Sequence, residues 1–222
     1  MRRSLASLFL AFGLVAGVAH AADDKPSATP TANEMPFVSK VSADLQARFP
    51  TPESARMAGY VRYTDEDNSG SISYANRHWT SIDEAHPSQL WYDVNGRLLG
   101  ADFSVLQADS AAAPQRFGVD PRRWTKFGAH VHFGLVGPNG TTKYGGAGPK
   151  LYANANMAGA NFMRPDPEDF VKAGKVKNVK DVRFVFLFPA IWDLQVWVLP
   201  NVNGAFAEMN PDVKVVKGGG MS

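Results

Sequence analysis

Near the start of the chain, hydrophobic positions recur at the spacing of an amphipathic helix. They are Val38, Val41, Leu45 and Phe49. The run stops at Pro50, so the pattern predicts a short helix with one apolar face. The Thr-Pro-Glu sequence at 51–53 is typical of a helix start, and it predicts a second short helix that reaches about Ala58.

After Tyr60 the pattern changes to short β-branched and aromatic runs separated by turn signals. The Asn-Gly pair at 95–96 predicts a hairpin between 90–94 and 97–106, because Asn-Gly supplies the positive backbone dihedrals of tight turns. A second hairpin is predicted between 131–136 and 141–144. The sequence therefore predicts a mainly β fold (α+β by count), a single antiparallel β-barrel or β-sandwich with two or three short helices outside.

The two strongest strand predictions lie near the end of the chain, at Val182–Phe188 and 192–199. Both are too apolar for an open edge, and 182–188 is apolar on both sides, so it needs cover on both sides. The sequence also predicts a helix at 166–173, since Asp166 precedes a proline and two acidic residues. We expect the helix at 38–49 or the one at 166–173 to cover the outer face of these strands. Cover by a second subunit is the alternative, so a homo-oligomer stays open.

The first residues have the layout of a secretory signal peptide. Arg2 and Arg3 precede an uncharged apolar run, and the small residues Ala19 and Ala21 flank His20. The sequence predicts a signal peptide at 1–21, a flexible leader at 22–36 and one β-rich globular domain at 37–222. The protein is thus expected to be exported, to the periplasm or beyond, and not to stay inserted in a membrane.

Charge and cysteine content narrow the function classes. The chain has 23 basic and 21 acidic residues, and removal of Arg2 and Arg3 with the signal leaves 21 of each. This neutral, mixed balance gives no sign of nucleic-acid binding. The absence of cysteine excludes thiolate metal sites and thiol nucleophiles. Any metal would be held by nitrogen and oxygen.

The best candidate for chemistry is the pair His130 and His132. On a strand, alternate side chains share a face, so both imidazoles are expected to project from one side. Two imidazoles can present nitrogen to a divalent transition metal such as Zn, Cu or Fe. His86, His78 and Asp102 are the predicted completions of the metal shell. A polar strand face without a metal is the alternative.

A second polar face is predicted on the last strand, where Asp193, Gln195 and Trp197 share one side. An aromatic ring among polar groups suits the binding of a small ligand inside a β fold. The same pattern also describes a solvent-exposed face.

Gly128, His130 and His132 resemble the start of the first metal motif of cupins, in which a glutamate follows the histidine pair. Residues 135–140 hold no carboxylate, and the spacing from glycine to histidine is shorter than in that motif. The resemblance covers fewer than a dozen residues, so the chain is not assigned to that family.

Residues 65–72 fit the beginning of an EF-hand calcium loop, with oxygen donors at Asp65, Asp67 and Ser69 and a glycine at 70. The twelfth position is Asn76, where the loop needs a bidentate glutamate. The flanks predict strands instead of helices, so an acidic hairpin turn is favoured, and weak calcium binding is the less favoured alternative.

These observations favour an exported, soluble protein that binds a small ligand or a metal ion through a histidine-bearing strand. A metal-dependent enzyme of oxygenase or hydrolase type is the first alternative, because a His and carboxylate site with open positions supports such chemistry. A structural or interaction module without a metal is the second. The sequence names no reaction.

Overall fold

The structure is a computed structural model that describes residues 25–76, 78, 80–81, 83–149, 152 and 161–216. The predicted signal peptide at 1–21 lies outside these residues. No helix within the described ranges is long and apolar enough to cross a membrane. The helices described in full are α1 (Met35–Arg48), α2 (Pro52–Met57) and α3 (Pro167–Lys172). All three follow the sequence predictions to within a few residues.

The chain is mainly β. The strands are β1 (Val61–Arg62), β2 (Ile72–Ala75), β3 (Gln89–Tyr92), β4 (Leu98–Leu106), β5 (Thr125–Phe127), β6 (His130–Val136), β7 (Thr142–Ala147), β8 (Val182–Phe188) and β9 (Ile191–Trp197). Both predicted hairpins are confirmed, as β3–β4 and β6–β7.

The strands form two antiparallel sheets. One has six strands in the order β1-β2-β3-β4-β9-β5, and the other has three in the order β7-β6-β8. The described strands do not close into a barrel. The two apolar strands near the end of the chain belong to different sheets: β8 pairs with β6, and β9 pairs with β4 and β5.

Helix α1 covers one face of the six-stranded sheet. Its buried residues are Phe37, Val41 and Leu45. They belong to the same apolar cluster as Phe103 of β4 and Leu194 of β9. Burial of such side chains stabilises a fold by about 1.5–3 kcal/mol each. The prediction that a helix covers β9 is therefore confirmed.

Helix α3 covers the outer face of the three-stranded sheet. Its Phe170 lies in a cluster with Phe133 of β6 and with Val185 and Leu187 of β8. Asp166 caps the helix by accepting a hydrogen bond from the Glu168 backbone N–H at 2.8 Å. Both end strands thus have helical cover on one face.

The segment that the sequence assigns to a flexible leader makes specific contacts where it is described. Glu34 is buried and pairs with Arg123, whose Nε lies 2.6 Å from Glu34 Oε1. Arg123 Nη1 also donates to the Ser27 carbonyl at 2.9 Å. The Ala28 carbonyl accepts from the Phe206 backbone N–H at 3.0 Å. These bonds hold residues 27–34 against the domain.

Candidate functional site

A cavity of about 270 Å³ lies where residues of the two sheets face each other. The six-stranded sheet contributes the carboxyl and amide groups, and the three-stranded sheet contributes the two imidazoles. The lining residues used below are Tyr63, Asp67, Ser69, Ser73, Gln89, Trp91, Asp102, Phe127, His130, His132, Phe188, Ile191, Asp193 and Gln195. Seven of the predicted site residues thus line one cavity: Asp67, Ser69, Asp102, His130, His132, Asp193 and Gln195.

Strand register explains why these side chains meet. In the β4–β9 pair, Asp102 lies opposite Gln195 and Ser104 lies opposite Asp193. Residues with the opposite parity, Phe103 and Leu194, point into the cluster under α1. Period-two alternation therefore places every polar side chain of this strand pair on the cavity face.

The two aspartates form one buried acid pair. Asp102 and Asp193 are each 8% exposed, and their carboxyl groups hydrogen-bond each other. Trp91 Nε1 donates to Asp102 Oδ2 at 2.8 Å, and Ser104 Oγ donates to Asp193 Oδ1 at 2.6 Å. Ser104 Oγ also lies 2.6 Å from Ser88 Oγ. These hydrogen bonds hold both carboxyl groups in fixed positions.

Burial decides the charge of this pair. Desolvation raises the pKa of Asp193 to about 6, while its hydrogen bonds with Ser104 and Asp102 oppose the shift. Desolvation, joined by the charge of Asp193, raises the pKa of Asp102 well above its usual range. At neutral pH the pair therefore shares one proton and carries one negative charge, as two close carboxylates do in acid-base sites.

The imidazoles of His130 and His132 lie side by side on β6, with ring centroids 4.8 Å apart. His130 Nδ1 lies 2.8 Å from the Gly128 carbonyl. A carbonyl only accepts, so this nitrogen carries the proton and the Nε2 of His130 keeps its lone pair. His132 is 3% exposed, and its Nδ1 has no hydrogen-bond partner.

Both imidazoles are neutral at physiological pH. Desolvation lowers the pKa of His132 to about 3; the neighbouring His130 adds to the shift, and a hydrogen bond with the Gly145 backbone opposes it. Desolvation also lowers the pKa of His130, and its bond to Gly128 opposes that shift. Neutral imidazole can bind a metal or accept a hydrogen bond, so the pair is an acceptor site without positive charge.

Aromatic rings complete the cavity lining. Tyr63 meets His132 edge-on, with centroids 4.8 Å apart, and the Tyr63 hydroxyl donates to Gln89 Oε1. His130 stacks on Phe188 at 4.6 Å. The indole ring of Trp91 packs against Gly100 of β4, where an added Cβ would come within 2.6 Å of the ring. A side chain at position 100 would therefore displace Trp91.

Trp197, which the sequence groups with Asp193 and Gln195, packs behind Trp91 with ring centroids 5.6 Å apart. Its Nε1 donates to the Ala207 carbonyl at 2.6 Å. Leu99 and Val213 belong to the same cluster. The structure thus places Trp197 as support for Trp91, whereas Asp193 and Gln195 line the cavity.

The segment at 65–71 forms the turn between β1 and β2. Asp67 Oδ1 accepts from the Ser69 N–H at 2.8 Å, the Ser69 hydroxyl at 2.6 Å and the Ser71 N–H at 3.0 Å. Asp65 is exposed and pairs with Arg62. The flanks are the antiparallel strands β1 and β2. Asp67 and Ser69 reach the cavity edge, whereas Asp65 points toward Arg62.

The other two histidines lie in a surface segment. His86 is exposed, and its Nδ1 lies 2.7 Å from Asp83 Oδ1. His78 is exposed and donates its backbone N–H to Asn76 Oδ1 at 2.9 Å. Within the described ranges, no three His, Asp or Glu side chains form a group that could hold a metal ion. The structure brings His130, His132 and Asp102 to one cavity but not His78 or His86.

Sequence reasoning missed Tyr63, Gln89 and Trp91 as members of this site. Gln89 lies opposite Asp102 in the β3–β4 pair, so its parity relative to Asp102 was a usable signal once the register was known. Tyr63 lies just beyond β1 and carried no such signal.

Comparison of the chain with family models, with curated proteins and with solved structures found no match.

Proposed function

We propose that the protein is an exported binding protein that holds a small molecule between its two sheets, which pack as a β-sandwich around the cavity. The observation that carries the proposal is that the carboxyl groups of Asp102 and Asp193, two imidazoles and two amides line one space. The carboxyl groups and amides come from one sheet and the imidazoles from the other. A pocket with a few converging polar groups and shifted pKa values is the usual form of a ligand site.

The energetics of the cavity support a ligand over a purely structural role. Burying a carboxyl group or an imidazole without full hydrogen bonding destabilises a fold by about 1–3 kcal/mol per group. Apolar side chains at the same positions would remove that penalty, as they do on the opposite face of the sheet. The polar cavity is therefore best explained by what it binds.

The volume sets the size of the ligand. The cavity has a volume of about 270 Å³. Sites for drug-sized molecules begin at about 300 Å³. We therefore expect a ligand at the small end of that range.

The test is recovery of a small molecule from the folded protein, with a variant that fills the cavity as comparison. Ser73 is half-buried in the cavity lining, so Ser73→Phe occupies the ligand space. Ser39→Phe makes the same change at an exposed position on α1 and serves as the control. Each folded protein is incubated with a cell extract, desalted and denatured, and the released compounds are identified by mass spectrometry.

A compound recovered with wild type and Ser39→Phe but absent from folded Ser73→Phe supports the proposal. Equal recovery with Ser73→Phe would place binding elsewhere and contradict it. Failure to recover any compound, together with no thermal shift of the wild type against a small-molecule library, would also contradict it.

A transition metal is the second candidate, and the observation that favours it is the pair of neutral imidazoles on β6. His130 Nε2 and His132 Nδ1 lack hydrogen-bond partners within the described structure, so two nitrogens are free to coordinate. The remaining coordination positions would fall to solvent or substrate. Titration of dialysed protein with Zn²⁺ or Cu²⁺ tests this. Heat of binding that is unchanged in a His130→Ala/His132→Ala double variant excludes it.

A further inference from the structure

We propose that the ligand of the cavity is a small organic ammonium ion, held by the Asp102–Asp193 pair, by hydrogen bonds to the two imidazoles and by the aromatic lining. This inference rests on the proposed function and specifies the chemical class of the ligand.

The charge of the cavity lining is the first argument. Asp67, Asp102 and Asp193 line the space, and no Lys or Arg does so among the described residues. Three basic residues, Lys25, Arg122 and Arg123, line a neighbouring cavity that shares Phe127, Asp193 and Gln195 with this one. Arg122 pairs with Asp120, Arg123 pairs with Glu34, and Lys25 Nζ donates to Thr125 Oγ1 at 3.4 Å. No Lys or Arg among the described residues forms an ion pair with Asp102 or Asp193, so the charge of the acid pair is available to a cation from outside the chain.

The second argument is the direction of the hydrogen bonds. His130 Nε2 is an acceptor, because the Nδ1 of that ring donates to Gly128. His132 is nine-tenths buried, lines the same cavity and has an unpartnered Nδ1, which accepts in the Nε2-protonated tautomer. Among the described residues, Ser104 donates a hydrogen bond to Asp193, which is also bonded to Asp102. A carboxylate offers about four acceptor positions, so others stay available.

An ammonium ion matches both features. It supplies up to three N–H donors and one positive charge, while the cavity supplies acceptors and one negative charge. An anion would meet the buried charge of Asp193 without any cationic side chain to offset it. A neutral alcohol would fill one acceptor and leave the charge of the acid pair unpaired.

The aromatic lining argues for an organic cation over a bare metal ion. Tyr63, Trp91, Phe127 and Phe188 give the cavity an apolar wall, against which the alkyl or aryl part of the ligand can pack. The ammonium group itself is attracted to the electron-rich face of an aromatic ring. For a metal ion, by contrast, the described residues bring together no group of three His, Asp or Glu ligands, so two imidazoles would have to hold it with the help of solvent.

Calorimetric titration of the folded protein with matched probes tests the proposal. The probes are the ammonium, alcohol and carboxylate forms of the ethyl, isopentyl and benzyl skeletons, with Ca²⁺ and Zn²⁺ as metal arms. We expect the best ammonium member to bind about tenfold or more tightly than its alcohol, which corresponds to about 1.4 kcal/mol. We expect no measurable binding of the carboxylates.

Two isosteric variants assign the preference to the acid pair. The Asp102→Asn/Asp193→Asn double variant removes both acids of the pair and keeps the shape, so the preference for the ammonium form should fall to about twofold or less. Both positions are changed because loss of the Asp193 charge alone would lower the pKa of Asp102 and let it ionise instead. Asp65→Asn removes an exposed acid that pairs with Arg62 and should leave the preference unchanged. Circular dichroism confirms that both variants are folded.

Equal affinity for alcohol and ammonium, tighter binding of a carboxylate, or an unchanged preference in the Asp102→Asn/Asp193→Asn variant would each overturn the proposal. So would the absence of binding by all three ammonium probes, or binding of Ca²⁺ or Zn²⁺ that the double variant abolishes while ammonium binding persists. If an alcohol or carboxylate binds and Ser73→Phe abolishes that binding, the proposed function stands and only the ligand class is wrong. If Ser73→Phe binds every probe as wild type does, the proposed function itself fails.

Discussion

Strands β4 and β9 present the two faces of one sheet to two different environments. The face under α1 carries Phe103 and Leu194, both with no exposed surface, in a continuous apolar cluster. The cavity face carries Asp102 and Asp193 on the same strands, almost as deeply buried. The two faces thus have similar burial and opposite chemistry.

This difference indicates that one face of the sheet stabilises the fold and the other face serves function. On the helix face, each buried side chain removes apolar surface from water and stabilises the folded state. On the cavity face, burial opposes the charge of the carboxyl groups and shifts their pKa values upward. Residues that work against stability at a buried position are typical of a functional site.

The largest expected effect is on the helix face. Phe103 packs edge-on against Phe37 with ring centroids 5.4 Å apart. We expect Phe103→Ala to lower the free energy of unfolding by about 3–5 kcal/mol, because the large cavity under α1 cannot collapse fully. Urea denaturation of the variant and of wild type measures this. A loss below about 1 kcal/mol would show that the helix face is not the main source of stability.

The next effect concerns Glu34, a buried carboxylate that has a cationic partner, unlike the two aspartates of the cavity. The hydrogen bond from Arg123 lowers the pKa of Glu34 to about 2, against the opposing effect of burial. The folded pKa is below the unfolded one, so the stabilisation is present above about pH 4.5 and is lost as the pH falls toward 2. The shift corresponds to about 3 kcal/mol of unfolding free energy. Urea denaturation between pH 7 and 2 should show this loss.

Glu34→Gln is the matched control for this acid limb, since it removes the titration and keeps the shape. The variant should be less stable than wild type at pH 7 and should lose less stability between pH 4.5 and pH 2. Parallel acid limbs in the two proteins would show that Glu34 is not the titrating group.

Ionisation of Asp193 should change the free energy of unfolding in the opposite direction to ionisation of Glu34. The folded pKa of Asp193 is raised to about 6, so its ionisation opposes folding above that pH, and the opposition disappears as the pH falls from about 6 toward 3.8. We expect Asp193→Asn to raise the free energy of unfolding at pH 7 by about 1–3 kcal/mol. The gain should vanish near pH 4, where wild-type Asp193 is protonated. Asp65→Asn, at an exposed site, should change stability by less than about 0.5 kcal/mol. A destabilised Asp193→Asn at pH 7 would mean that the acid pair supports the fold.

The sequence predicted which side chains share a strand face better than it predicted which strands and sheets come together. Alternation within β4, β6 and β9 correctly separated Asp102, His132 and Asp193 from their apolar neighbours, because parity is a local property of a strand. It could not show that β8 and β9 belong to different sheets, nor that Tyr63 reaches His132, because those contacts depend on long-range pairing. His86 and His78 were grouped with the pair by residue type alone, and the fold places them on the surface.

The smallest expected change in stability comes from the imidazole that the fold buries without a full set of partners. His132→Phe replaces a neutral ring beside Tyr63 and Phe186 with an apolar ring of similar shape and removes the unpartnered Nδ1. We expect the free energy of unfolding to change by less than about 1 kcal/mol. Val131→Phe is the matched control, because the adjacent Val131 is fully buried on the α3 face of the same strand. This variant should lower the free energy of unfolding by about 1–3 kcal/mol through overpacking. Urea denaturation of both variants, with ammonium titration of His132→Phe, provides the measurement. Retained stability with weakened ammonium binding would place His132 in the site, whereas a large loss of stability with unchanged binding would return it to the core.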